Sequence, residues 1–387
     1  MNIIFCYWNS ICEPGMTHAF EQLGHHVMVF DHPMSSKDLD TDYLSAFSCY
    51  IQSNPKADCV FTINFIPLIA KVCRIFRIPY LSHTVDSPSI TLSSKALNDP
   101  CCHAFIFDRC LYQEYAALAP GHVHYLPLGA DIDFYDGITV SEEDHDMYDC
   151  DISFIGSFHS ENCIYDRLAD GLPERMRGYI DGLIEAQLNV YGYNLIRDAF
   201  SDAWAEEFKR RAAWSVLPDY HEDIRSIITD QYLGFKCTQR DRIRTLQAIS
   251  QNYRMDLYTT EDTSMLPDIN NRGIAKSFTM MPRIFKCSKI NLNMTARTIQ
   301  SGLPQRIFDI MAAGGFVLSN YQSEIPEYFT PGEDIVLYES IPDLLEKIGY
   351  YLSHEDERLQ IARNGYEKTK KQHLLVHRAQ EMLKILS

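Results

Sequence analysis

Ser301-Gly302-Leu303-Pro304-Gln305-Arg306-Ile307-Phe308-Asp309-Ile310-Met311-Ala312-Ala313-Gly314-Gly315 sets a turn, a short helix and a close-packed stop in sequence. Gly302 permits a tight turn, and Pro304 suits the first helical position. A helix launched there points free N–H groups and the positive end of its dipole at whatever lies in front, which favours an anion. Arg306, in the first turn, adds a planar fork matched to phosphate oxygens. Asp309 follows nearly one turn later, where its carboxylate can accept from both hydroxyls of a ribose. Ala312, Ala313, Gly314 and Gly315 let the helix approach neighbouring strands closely. An ordinary surface pair between Arg306 and Asp309 fits the same residues, because i,i+3 charge pairs are common on helices.

Strand and helix signals alternate through the first half of the chain, the pattern of a parallel α/β sheet. Strands are expected at 2–8, 27–30, 59–65, 80–84, 103–107 and 124–128, with helices at 16–23, 43–52, 67–77 and 112–118. Residues 136–150 are polar, acidic and aperiodic, and read as an inter-domain linker. A second series begins with a strand at 151–155 and continues through a helix-rich insertion over 160–250. Strands at 255–258, 289–292 and 316–319 follow, with helices at 283–287, 302–313, 342–353 and 355–370. The expected fold class is α/β, with two doubly wound Rossmann-like domains and a cleft between them, ligands binding at strand C-termini. The expected divisions are an N-terminal Rossmann-like domain at 1–135, the linker at 136–150, a second domain at 151–372 and a C-terminal helix at 373–387.

A chain of 387 residues has room for two ordinary domains, and 46% hydrophobic with 22% charged residues is a normal globular balance. No apolar run is long enough to span a membrane, and residues 1–8 read as a buried strand rather than a signal peptide. The 12 cysteines are scattered without a zinc-type spacing, which points to free thiols and a cytoplasmic setting. Net charge is −17. Residues 1–150 hold 7 Lys/Arg against 19 Asp/Glu, whereas residues 151–387 hold 28 against 33. The acidic first half argues against nucleic acid and against strong membrane association, and leaves most basic groups for an anionic ligand in the second half.

The segment from about Asp149 to Ser387 resembles the group-1 glycosyltransferase domain of GT-B enzymes, particularly the CgeB-like (spore maturation) branch. The run from Leu303 to Leu318 carries the likeness. Ser323-Glu324-Ile325-Pro326-Glu327-Tyr328-Phe329, Gly332-Glu333 and Asp151-Ile152-Ser153-Phe154-Ile155-Gly156-Ser157 extend it. The first half is similar more loosely, through His83-Thr84-Val85-Asp86-Ser87-Pro88 and Tyr125-Leu126-Pro127-Leu128-Gly129. The resemblance implies a GT-B fold and transfer of a sugar from a nucleoside-diphosphate donor, UDP-linked, to a protein or glycan acceptor. No tightly bound cofactor and no metal are implied. It places Asp309 on the ribose. Arg306 and the backbone of Ser301, Gly302, Leu303 and Pro304 would face the diphosphate. Gly156 and Ser157 would form a loop closing on phosphate or sugar, and Tyr258 and Thr259 would border the nucleobase.

One position departs from the family pattern. Retaining GT-B enzymes with paired glutamates carry an acid where this chain has Ser301, so the stereochemical outcome is left open. On the acceptor side, Asp86 is a candidate general base and His83 a candidate sugar contact, beside an alternative in which both are structural. Arg283 and Lys289 are secondary phosphate candidates or plain surface charges. Asp38-Leu39-Asp40 and Asp40-Thr41-Asp42 have the spacing of a metal motif but read as solvated loop. Two other functions fit the same pattern: a nucleotide-sugar epimerase or hydrolase, and a non-catalytic sugar-nucleotide-binding scaffold.

Overall fold

The computed structural model describes residues 1–160, 163–212, 218–221 and 223–386. The chain forms two compact units. The first comprises Met1–Asp131, Val216–Glu222 and Gln372–Ser387, and the second Ile132–Ser215 and Asp223–Lys371.

In the first unit, β1 (Asn2–Tyr7), β2 (His26–Asp31), β3 (Cys59–Ile63), β4 (Tyr80–Thr84), β5 (Cys102–Ile106) and β6 (Val123–Tyr125) form one sheet ordered β2-β1-β3-β4-β5-β6. Every pairing is parallel. β3 and β4 are buried along their whole length; β3 reads as a nearly continuous apolar run, whereas β4 buries Ser82, His83 and Thr84 as well. On one face Ile4, Cys6 and Val60 pack against Tyr43, Phe47 and Phe65. On the other, Ile3, Phe5 and Phe61 meet Met16 and Phe20 together with Leu375, Ala379 and Met382 of the helix Leu375–Leu383. The end of the chain therefore completes the core that its beginning starts.

The second unit has a sheet of β7 (Cys150–Ile155), β8 (Asp256–Tyr258), β9 (Asn270–Asn271), β10 (Ser288–Asn293), β11 (Val317–Asn320) and β12 (Val336–Tyr338), ordered β12-β11-β10-β7-β8-β9. It is also parallel throughout. From β7 the chain runs outward through β8 and β9, then returns to the other side of β7 with β10. The order reverses between β7 and β10, and their C-terminal ends form the switch point where such sheets hold ligands. The helix-rich stretch includes residues 161–162, 213–217 and 222, which lie outside the described residues. Its described helices enclose a core of their own around Met176, Ile180, Ile184, Phe200, Phe208 and Leu233.

Two expectations are corrected. Residues 136–150 are not an aperiodic linker: they include the end of the helix Ile132–Asp136 and the helix Glu142–Tyr148, and belong to the second unit. Ser141 and Asp144 close a capping box at the start of the second helix, so its acidic residues sit where the dipole favours them. Pro304 is the N-cap rather than the first helical residue, and the helix runs Gln305–Ala312. Among the described residues no helix is long and apolar enough to cross a membrane.

Candidate functional site

The Gln305–Ala312 helix follows the loop after β10. Ser301 and Leu303 are enclosed, whereas Pro304, Gln305 and Arg306 remain partly open, so the accessible tip starts one residue later than Gly302 would imply. Its C-terminal stop is as read. Gly314 has φ 77°, a left-handed conformation, and a Cβ at Gly315 would lie 2.7 Å from Asn291 Nδ2 and 2.8 Å from the Phe285 carbonyl. The helix is thus pressed against β10 and its tip position is fixed by packing.

Asp309 is 8% exposed. Its carboxylate accepts from Gln305 Nε2 at 2.9 Å and from the Tyr135 hydroxyl, with Arg306 Nη1 4.0 Å away. Burial raises its pKa, and Arg306, Gln305 and Tyr135 counter that rise. Arg306 lies over the Phe285 ring at 5.4 Å and donates to Met281 Sδ at 3.6 Å. An aromatic face and a thioether hold the guanidinium but neutralise none of its charge. At 4.0 Å its approach to Asp309 is looser than a hydrogen bond, which leaves the fork available for a stronger anion.

A second cation stands at the switch point. Arg242, on the helix Phe235–Ser250, donates from Nη1 to the Ser157 carbonyl beyond β7 and from Nη2 to the Met294 carbonyl beyond β10 at 2.8 Å. Its Nε is buried without a hydrogen-bond partner. Burial lowers its pKa to about 10, and Arg306 contributes to that lowering, so the two guanidinium groups feel one another. The neighbouring Asp241 pairs instead with Arg297, in two bonds of 3.0 Å. Two guanidinium groups whose hydrogen bonds go mainly to neutral partners, Arg242 and Arg306, thus stand near one another at this end of the sheet.

The loop after β7 is locked from the β8 side. Glu261 accepts from Ser157 Oγ, from His159 N at 3.0 Å and from Ser160 N at 3.3 Å. His159 has φ 61°, and its ring is held to a pKa of about 4 by burial and then by Arg242. A Cβ on Gly156 would meet the tip of the Phe154 ring at 2.7 Å, so a larger residue there would have to displace that ring. Gly156 and Ser157 follow β7 at the switch point, and the Ser157 hydroxyl is already committed to Glu261.

Tyr258 and Thr259 are corrected. Tyr258 is 2% exposed and packs with Tyr148, Ile284 and Cys287, while Thr259 is buried with its Oγ1 accepting from Glu261 N at 3.3 Å. Neither side chain offers a surface to a base. Arg283 and Lys289 are paired with Asp144 at 3.2 Å and Asp151 at 2.7 Å, which makes them surface ion pairs rather than phosphate ligands. Ser301, where the family pattern has an acid, donates to Glu324 Oε1 at 2.5 Å, and Glu324 is itself 2% exposed. A carboxylate reaches this corner from the segment after β11 instead of from position 301.

In the first unit His83 is corrected as well. It is 1% exposed within β4, its Nε2 donates to the Leu126 carbonyl at 3.1 Å, and burial lowers its pKa to about 4. It is a neutral core histidine without access to a sugar. Asp86 is exposed beyond the same strand, accepting from Asn64 Nδ2 at 2.6 Å, while Asn64 Oδ1 receives Val85 N at 2.9 Å. Asn64 fixes the carboxylate and leaves it facing solvent. Asp40 of the metal-like spacing caps the helix Thr41–Ser53, accepting from Tyr43 N at 3.0 Å and from Ser35.

Residues 240–384 match the family described as glycosyl transferase-like. The C-terminal segment is thus similar to a glycosyltransferase-like family. It begins on the helix that carries Arg242 and includes β10, the Gln305–Ala312 helix and Glu324. No curated protein matches the chain in sequence. Among solved structures it is similar to a glycosyltransferase from Rickettsia africae, with 12% identity, a TM-score of 0.56 and coverage of 100% of this chain and 98% of that one. It is similar also to HepE of Anabaena in complex with UDP-glucose, with 13% identity, a TM-score of 0.55 and coverage of 100% and 99%. Sucrose-phosphate synthase of Thermosynechococcus elongatus aligns with 10% identity, a TM-score of 0.58 and coverage of 100% and 98%. At these identities the likeness establishes the fold, a GT-B arrangement of two parallel six-stranded sheets.

Arg242, Glu261 and Glu324 are the participants that sequence reasoning missed. Arg242 sits beside Asp241 in a charge-rich helical stretch, and nothing local separates it from a solvated face. Only the strand order shows that its guanidinium reaches the carbonyls at both sides of the switch point.

Proposed function

We propose that the chain is a glycosyltransferase that moves a sugar from a UDP-linked donor to a protein or glycan acceptor, with guanidinium groups and main-chain N–H donors serving the diphosphate in place of a metal. The observation that carries this reading is the open tip of the Gln305–Ala312 helix, with Arg306 beside it only loosely paired, at 4.0 Å, to Asp309 one turn behind. The tip and Arg306 receive the diphosphate, and Arg242 adds positive charge from the switch point. As the bond from the sugar to the diphosphate breaks, negative charge grows on the departing phosphate, and donors already in place lower that barrier without reorganising. Asp309 exchanges Gln305 and Tyr135 for the ribose hydroxyls. Asp86 is the acceptor-side base, with its carboxylate oriented by Asn64.

HepE binds UDP and glucose, and the phage T4 enzyme BGT binds UDP-glucose, which supports a uridine donor here by analogy of fold. The test is a thermal-shift screen of nucleoside diphosphates against wild type and Asp309→Ala. Specific stabilisation by UDP that disappears in the variant is the expected result. Equal stabilisation of both proteins, or none by any nucleoside diphosphate, contradicts the assignment. Conversion of UDP-sugar without an acceptor would favour an epimerase or hydrolase instead.

A further inference from the structure

The end of the second sheet opposite the switch point carries a separate cluster. β7 begins at Cys150 and β10 at Ser288, and these two residues are register partners. The residues just before each strand are therefore brought together at the sheet's N-terminal edge. His145 and Asp149 lie one helical turn apart, with Nδ1 to Oδ1 at 2.8 Å. Cys287 closes the helix Met281–Cys287 on the other side. The imidazole nitrogen, the carboxylate oxygen and the Cys287 sulfur all lie within 4.8 Å of one another. His145 and Asp149 are exposed and Cys287 is buried, so a cation would be reached from solvent and anchored inside.

We propose that His145, Asp149 and Cys287 form a zinc-binding site that clasps the segment 142–149 to the Met281–Cys287 helix. One imidazole, one carboxylate and one thiolate suit a borderline-soft cation in tetrahedral coordination, with water at the fourth position. Metal–ligand bonds of about 2.0–2.3 Å place neighbouring donors about 3.3–3.8 Å apart, so modest rotation of the two exposed side chains closes the observed spread. The thiol loses its proton to solvent as the sulfur binds. The two helices are already joined by Arg283 to Asp144 at 3.2 Å and by Cys287 Sγ to the Asp144 carbonyl at 3.9 Å. Metal binding would replace the Cys287 S–H bond to the Asp144 carbonyl with a sulfur–metal bond and leave the Arg283–Asp144 pair in place, which defines a structural role remote from the donor chemistry.

The test is a cobalt titration of the untagged, chelator-stripped chain, followed by absorption. One equivalent should produce thiolate-to-cobalt charge transfer, displaced by zinc, with the band lost in Cys287→Ser. His145→Ala and Asp149→Ala should each weaken cobalt binding about 10-fold or more. Absence of the band, or its persistence in a folded Cys287→Ser protein, overturns the site. Should Cys287→Ser fail to fold, unchanged cobalt affinity in both exposed variants overturns it equally. UDP affinity should be the same with and without metal, so this site and the donor site stand or fall separately.

Discussion

At position 309 a buried carboxylate costs the ligand-free fold stability, and the proposed ribose contact would give that carboxylate its role. Desolvation raises the pKa of Asp309 above that of the unfolded chain. Between the unfolded and folded values the native state holds more protons, so this group's contribution to stability falls as pH rises through that window. At neutral pH the ionised form costs stability. Asp309→Asn should therefore raise the melting temperature of the ligand-free protein by about 1–3 °C at pH 7, a difference that vanishes toward pH 4. The same variant should lose UDP binding. A ligand-free melting temperature that falls at pH 7, measured by calorimetry, would show that the Gln305 and Tyr135 bonds outweigh burial. Arg306 and Asp309 were legible because the turn, helix and acid lie within one short segment. His83 was misread because a histidine before a turn looks the same whether its ring faces solvent or the Leu126 carbonyl, and Arg242 is intelligible only through contacts 85 and 52 residues away.

Among the elements, those with strong periodicity or unbroken apolar runs were readable to within a few residues. β3 is the clearest example, since burial on both faces goes with an apolar run broken only by Thr62. β9 and β12 have two and three residues, too few for any pattern, and were not expected. The 136–150 stretch was misjudged because its helix is held by a capping box and Tyr148 rather than by an apolar stripe. The departure at Ser301 also acquires a reason at this scale. A glutamate there would set two carboxylates together inside the protein, because Glu324 already occupies that corner. Ser301→Glu should destabilise the fold by about 3 kcal/mol or more in chemical denaturation. Wild-type stability in that variant would mean that Glu324 can move out and that the corner is not fixed.

For the molecule as a whole, acidity is concentrated in residues 1–150, and the basic groups that matter are gathered on the second sheet. Both sheets were legible as parallel α/β layers from the alternation of strand and helix signals. The return of Leu375–Leu383 to complete the core of the first unit was not, because a docked terminal helix has the same amphipathic pattern wherever it packs. The account rests on a diphosphate held by the Gln305–Ala312 helix tip and Arg306. Calorimetric titration of UDP and of uridine into wild type and Arg306→Ala examines that claim most directly. UDP should bind wild type far more tightly than uridine, and Arg306→Ala should weaken UDP by about 10–100-fold while leaving uridine unchanged. Undiminished UDP affinity in Arg306→Ala, or an equal loss for UDP and uridine, would contradict it.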